Sequence, residues 1–325
     1  MRTMKLVWLP VVLGILNGCE QQDNDRNTAA PQAPAPSTIG ADLQNTTSLS
    51  RLKALRHRLQ SPQANDVMVI AHRACWREAP ENSLPAIDAC IRMGVDMVEI
   101  DVHVTADGKL IIMHDDTVDR TTNGSGLISD LTLAQIKELS LKEGLGGPDA
   151  ALTEHKVPTL EEALAVIRGN VLVNLDAKGE TLLQSLAVAR HLNMTDHVLF
   201  KTDNLSPEHT ELFKDVHFMP IIRESEGSIE SLLPIYQDTN PVAVEVVYQD
   251  AAYFEENAAT VTKAGYRLWV NTMWKGLAGE YTDAAAMGNP DAYWGYLVSR
   301  GVNMIQTDEP KALLDYLRGR NLRQN

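Results

Sequence analysis

Short apolar runs alternate with amphipathic stretches along most of the chain. The runs fall at residues 67–71, 97–101, 171–175, 197–200, 217–220, 243–247, 267–270 and 303–306, and read as short strands. Between them, helical spacing marks 83–93, 159–168, 182–192, 253–264 and 310–318. Several of the helical stretches open on a capping residue: Ser83, Ser206 ahead of Pro207, and Asp308 ahead of the last. No internal repeat is present. Strand–helix alternation sustained eight times is the sequence form of an α/β fold, a parallel (β/α)8 barrel.

One apolar run does not fit that alternation. Only eight residues separate Leu110-Ile111-Ile112-Met113 from Asp101. A parallel crossover needs about a dozen residues or more, so the run cannot be a barrel strand. A hairpin does fit, with Asp107-Gly108 as a two-residue turn. Counting outward from that turn pairs residue 106 with 109, 103 with 112, and Asp101 with His114. Asp101 and His114 are thus expected as cross-strand partners, about 4.5–5.5 Å apart at Cβ. The second strand then overshoots the carboxyl end of the barrel and returns His114 to the rim where barrel enzymes place their active sites. Residues from about 115 to 160 become a small insertion after the second strand, with a short helix near 133–139.

Residues 1–19 read differently. Arg2 and Lys5 precede an apolar run, 6–16, that is too short to span a bilayer. The run ends in Leu16-Asn17-Gly18-Cys19, which looks like a bacterial lipobox with Cys19 as the lipidated residue. Glu20 after the cysteine favours the outer membrane, facing the periplasm. An ordinary signal peptide or an uncleaved anchor is the alternative. Residues 20–50, rich in Pro, Ala and polar side chains, lack apolar periodicity and suit a flexible tether. The remaining part, 51–325, has the size of one barrel domain.

The net charge is −14, and more negative still without Arg2 and Lys5. That excludes a nucleic-acid binder and adhesion to anionic lipid by charge alone. A phosphate-bearing substrate must therefore be held by a local cationic site or a metal. Cys75 and Cys90, in an oxidising compartment if the chain is exported, either pair or stay as two buried thiols.

Polar residues sit just beyond several strands. His72 and Arg73 follow the first; Glu99 and Asp101 end the second, two apart and so on one face. Asp176 and Lys178 end the third, and the hairpin brings in His114. Three carboxylates converging on one rim repel one another unless a cation sits among them, and hard oxygen donors suit Mg or Ca. Arg73 and Lys178 beside them suit a phosphate, while His72 and His114 suit general acid and base, since an unperturbed imidazole has its pKa near operating pH. Lys201, Glu245, Trp269 and Asn271 are possible pocket residues, Trp269 alternatively being barrel packing. The connection from Trp274 to Pro290 is long enough for a lid.

The strings Ala71-His72-Arg73-Ala74 and Pro80-Glu81-Asn82-Ser83, then 94–102, 105–109, 114–124 and 157–162, resemble the glycerophosphodiester phosphodiesterase family. The likeness resumes at Asn174-Leu175-Asp176-Ala177-Lys178, at 269–272 and at Gln306-Thr307-Asp308-Glu309-Pro310. It implies a TIM barrel with a small insertion after strand 2. It also implies release of an alcohol and glycerol 3-phosphate from a glycerophosphodiester. His72 and His114 match the family's acid/base pair, Glu99 and Asp101 its metal ligands, Arg73 and Lys178 its phosphate-binding cations. Two positions depart: Ala74 stands where the family usually has glycine, and Asp176 where it often has glutamate. The aspartate leaves a phospholipid-cleaving relative, of sphingomyelinase D or lysophospholipase D type, as the alternative enzyme. A non-catalytic ligand-binding lipoprotein is the alternative of another class.

Overall fold

The computed structural model describes residues 50–62, 66–179, 181–203 and 211–323. The leader, Cys19, the tether and the Ser206-Pro207 cap lie outside those residues. Nine strands form one sheet: β1 (Met68–Ala71), β2 (Met97–Val104), β3 (Leu110–Ile112), β4 (Leu172–Ala177), β5 (Val198–Thr202), β6 (His217–Arg223), β7 (Ala243–Val247), β8 (Arg267–Asn271) and β9 (Val302–Thr307). Eight of them run parallel, and β1 pairs with both β9 and β2, which closes the barrel. Helices such as Leu84–Met93, Leu160–Ile167, Ala251–Lys263 and Pro310–Gly319 surround it. This is a TIM barrel, and its strands match the eight sequence runs to within three residues at each end.

The floor of the barrel is built from the segment that precedes β1. A helix through residues 50–60 turns Leu52, Leu55 and Leu59 onto Met68, Ile70, Met97, Leu172, Met219, Trp269 and Met304 inside the barrel. Trp269 is fully buried in this layer, so its bulk is barrel packing. Two polar devices hold the floor helix in place. Arg267, also fully buried, donates to the carbonyls of Arg58, Leu59 and Ser61, satisfying groups that a helix end leaves open. Asp96 accepts from Arg58 Nη1 (2.6 Å), the Val69 N–H (2.8 Å) and Arg323.

The hairpin differs from the expected one by a single residue. Val102 pairs with Ile112 and His103 with Ile111, so Met113 stands opposite Asp101 and donates to its carbonyl at 3.0 Å. The loop holds three residues, not two: Thr105 N–H donates to Lys109 O, and Gly108 sits in the left-handed region at φ 73°. That loop type is stabilised here by side chains. Thr105 Oγ1 donates to Asp107 Oδ1 (2.7 Å), and the same oxygen accepts the Leu133 N–H (2.9 Å). A slip of one residue moves a strand's side chains to the opposite face, so His114 is not Asp101's cross-strand partner. His114 lies past the ladder instead. Beyond it the insertion packs its own small core of Ile111, Met113, Val118, Ile128, Ile136, Leu141 and Val157.

Ser83 caps its helix as expected, accepting the Ala86 N–H at 3.2 Å. Asp308 does not: Glu309 occupies the cap position, with no side-chain cap bond, and Asp308 is turned towards β1. Cys75 and Cys90 are joined in a disulfide with Cα atoms 5.4 Å apart, resolving the two alternatives their spacing allowed.

Asp96 generates a stability prediction. Burial would raise its pKa, but Arg323 and Arg58 outweigh that and hold it below the ordinary 3.8. The folded state thus binds this proton less readily than the unfolded chain. The stabilisation is complete above the ordinary carboxylate range and is lost as pH falls through and below about 4. Asp96→Asn should cost about 3–5 kcal/mol in urea denaturation at pH 7. The gap between parent and variant should narrow steadily on acidification; a constant gap down to about pH 2 would contradict the assignment.

Candidate active site

The site begins where β1 ends. The register that sets Ala71 opposite Thr307 brings His72 beside Asp308. Nδ1 of His72 lies 2.8 Å from Asp308 Oδ1, which also accepts from Trp76 Nε1 at 2.8 Å. Burial alone would lower the pKa of His72, which is 7 % exposed. The bond to Asp308 and the charges of Glu99 and Asp308 outweigh it, and the pKa is raised. An Nδ1–H donated to the carboxylate leaves Nε2 as the atom that can exchange a proton.

The backbone then turns sharply. Arg73 and Ala74 both lie in the left-handed region, at φ 52° and 61°, and Asn82 joins them at 51°. Each such non-glycine residue costs about 1–2 kcal/mol, and at Ala74 the departure from the family's glycine falls on that geometry. The strain aims donors. The Arg73 N–H donates to Glu99 Oε2 (2.9 Å) and the Ala74 N–H to Glu99 O (3.0 Å). Asn82 Nδ2 donates to Asp101 Oδ2 (2.8 Å) and its Oδ1 accepts the Asp101 N–H (3.1 Å). One loop therefore orients both carboxylates of β2.

Parallel pairing places Asp101 opposite Asp176. An oxygen from each of Glu99, Asp101 and Asp176 falls within 4.8 Å of the other two, as the sequence pattern required. Lys178 Nζ sits 2.9 Å from Asp101 and 2.8 Å from Asp176. Burial raises the pKa of Asp101, but Lys178 more than reverses this; Asp176 is likewise held low, by Lys201 and Lys178 against its burial. Glu99 goes the other way. Burial and then the charge of Asp101 push it up to about 7, His72 opposing.

A second polar layer leads into the barrel. Lys201 lies 3.5 Å from Glu245, Asn271 Nδ2 donates to Glu245 Oε1 (2.8 Å), and Trp269 Nε1 donates to Asn271 Oδ1 (2.6 Å). The four possible pocket residues thus form one chain, whose lysine also carries its charge to Asp176 and Glu99. Trp274, 47 % exposed, meets the His72 ring edge-on with centroids 5.7 Å apart.

His114 is held by a network that spacing could not reveal. Its Nδ1 lies 2.8 Å from Asp115 Oδ1. Arg120 grips Asp115 through Nε and Nη2 and Glu81 through Nη1 and Nη2, all at 2.8 Å. Glu81, almost fully buried, also faces Arg73 at 3.3 Å. These hydrogen bonds from Arg120 hold the Asp115 carboxyl well below the usual carboxylate range. His103 Nε2 meets the His114 carbonyl at 3.1 Å. Asn82, Glu81, Asp115 and Arg120 all lie in strings that carry the family resemblance, but single polar residues in loops give no periodic signal. A cavity of about 240 Å³ opens beside Lys178, lined by His103, Asp116, Leu127 and Thr181. A larger one, about 770 Å³, lies between Trp76–Pro80 and the insertion and is lined by neither histidine of the pair.

The glycerophosphoryl diester phosphodiesterase family model matches residues 72–274, the stretch that carries His72 through Trp274. The chain belongs to that family. A glycerophosphodiester phosphodiesterase of Caldanaerobacter subterraneus is 40% identical over 117 residues, 36% of this chain and 47% of that protein. The matched segment thus spans under half the length of that relative. A crystal structure of a glycerophosphoryl diester phosphodiesterase from Parabacteroides distasonis superposes with a TM-score of 0.67 at 20% identity, over 82% of this chain and 92% of that one. An Oleispira antarctica phosphodiesterase, solved with the product sn-glycerol-3-phosphate, gives 0.59 at 22% identity, over 80% of this chain and all of the other. At these identities the structures attest the fold.

Removing Arg120 tests the network. Arg120→Ala would leave Glu81 buried with only the longer contact to Arg73. The expected loss is about 3 kcal/mol in chemical denaturation. A change below about 0.5 kcal/mol, the size of an ordinary surface substitution, would show that the network does not hold the loops.

Proposed function

We propose that the protein is a metal-dependent phosphodiesterase that hydrolyses a glycerophosphodiester to an alcohol and glycerol 3-phosphate. The observation that carries this reading is the convergence of Glu99, Asp101 and Asp176 between two carboxylate-held histidines. Family membership and the product bound to the Oleispira antarctica relative support the substrate class.

The donor set fits a divalent cation. Three carboxylates offer hard oxygens within 4.8 Å, and Glu99, pushed up to about 7, marks a site short of positive charge. Glu99, Asp101 and Asp176 would hold Mg or Ca, which when bound stabilises negative charge on the phosphoryl oxygens. Arg73 and Lys178 lie at the same rim to engage phosphate oxygens, their present carboxylate partners setting their direction. His72 and His114 each keep Nδ1 on an aspartate and have Nε2 for proton exchange. One takes the proton of the attacking oxygen, of water or of the neighbouring glycerol hydroxyl; the other gives a proton to the departing alkoxide as its bond to phosphorus breaks. A cyclic phosphate formed by the hydroxyl is then opened by water to glycerol 3-phosphate.

Export and an anchor on Cys19 also remain our reading. The leader pattern motivates it, and the Cys75–Cys90 disulfide fits an oxidising compartment.

Purified protein should hydrolyse glycerophosphocholine or glycerophosphoethanolamine, lose the activity to a chelator, and regain it with Mg or Ca. His72→Ala and Glu99→Ala should each lower kcat by about 10²–10⁴-fold. Full activity in either variant would remove that residue from the site. A preference for intact lysolipid or sphingomyelin would favour the phospholipid-cleaving alternative.

A further inference from the structure

Asp283 lies in the connection between β8 and β9, apart from the rim residues described above. It is 3 % exposed, no cationic group is among its electrostatic partners in the described residues, and its oxygens instead collect four donors. Oδ1 accepts from Thr272 Oγ1 (2.6 Å), Thr307 Oγ1 (2.8 Å) and Trp294 Nε1 (3.2 Å), and Oδ2 accepts the Asp308 N–H (2.8 Å). Its own N–H donates to Thr272 O at 2.6 Å.

A buried carboxylate without a counter-charge is expensive, and an apolar residue would fill the place more cheaply. What the carboxylate supplies is a fixed backbone where β9 ends. The amide it holds belongs to Asp308, whose side chain holds His72. The same connection begins with Trp274, which rests on the His72 ring. The connection thus reaches His72 twice, from Trp274 directly and from Asp283 through Asp308.

We propose that Asp283 is a positioning residue that fixes the Asp308 backbone and through it the orientation of the His72 imidazole. The inference rests on the phosphodiesterase reading for its catalytic consequence, and on geometry for the rest. A carboxylate is required because the Asp308 N–H on one oxygen and the Trp294 Nε1–H on the other can only donate. Asparagine offers one acceptor oxygen; turned to the Asp308 N–H, it presents Nδ2 to the Trp294 N–H, which cannot accept.

The test uses the full chain with saturating Mg and glycerophosphocholine. Asp283→Asn should lower kcat about 10–100-fold with KM nearly unchanged. In a His72→Ala background the same substitution should leave the residual rate within about twofold, because the group it acts through is gone. An equal loss in both backgrounds, or a wild-type kcat in Asp283→Asn, overturns the proposal. If Asp283→Asn does not fold, Thr307→Val and Trp294→Phe each remove one donor to the same oxygen. They should give smaller kcat losses that also vanish without His72; additive losses overturn it. The NMR signal of the His72 Nδ1 proton gives a readout free of turnover. It should be sharp in the parent and lost in Asp308→Asn and Asp283→Asn; an unchanged signal in Asp283→Asn overturns the proposal. Absence of parent turnover would defeat the phosphodiesterase reading alone and leave the ring proton to judge this one.

Discussion

Three carboxylates whose oxygens lie within 4.8 Å cannot all be ionised in a buried place without positive charge nearby. Much of the rim answers that constraint. Lys178 bridges Asp101 and Asp176, and Lys201 approaches from inside the barrel, itself balanced by Glu245. At Glu99 burial and the charge of Asp101 outweigh what Lys201 and His72 supply, and its pKa is pushed up to about 7. A cation bound there would relieve that repulsion.

Backbone strain is concentrated in the turn after β1. Arg73, Ala74 and Asn82 adopt left-handed geometry so that two amides and a carboxamide reach Glu99 and Asp101. The disulfide from Cys75 to Cys90 ties the same turn to the helix Leu84–Met93. Such geometry persists only where surrounding contacts over-determine it, and here those contacts are made by Glu99 and Asp101 of the carboxylate cluster.

The barrel and the carboxylate cluster were legible because both follow from period. Eight apolar runs alternate with helical spacing, and Glu99, Asp101 and Asp176 sit where strands end. The hairpin shows the limit of counting. Asp107-Gly108 marked the turn correctly, but a hydrogen bond from Thr105 to Asp107 and the Leu133 amide on Asp107 favour a three-residue loop. Spacing alone does not distinguish the two. Asp308 failed for a related reason: before a helix, an aspartate reads as a cap, and nothing in its neighbours reveals that β1 lies alongside it. Glu81 and Arg120, thirty-nine positions apart, meet only because the insertion folds back over the β1 turn.

The slipped hairpin changes how the two histidines are related. Had His114 been Asp101's ladder partner, strand pairing alone would set its place. Lying beyond the ladder, it depends on a run of alternating charge: Arg73, Glu81, Arg120, Asp115 and then His114. The run starts at the residue next to His72. Arg73 and His114 therefore share one buried carboxylate, Glu81, as a common anchor. A displacement of the β1 turn would move both, so Arg73 and His114 are coupled mechanically as well as electrostatically.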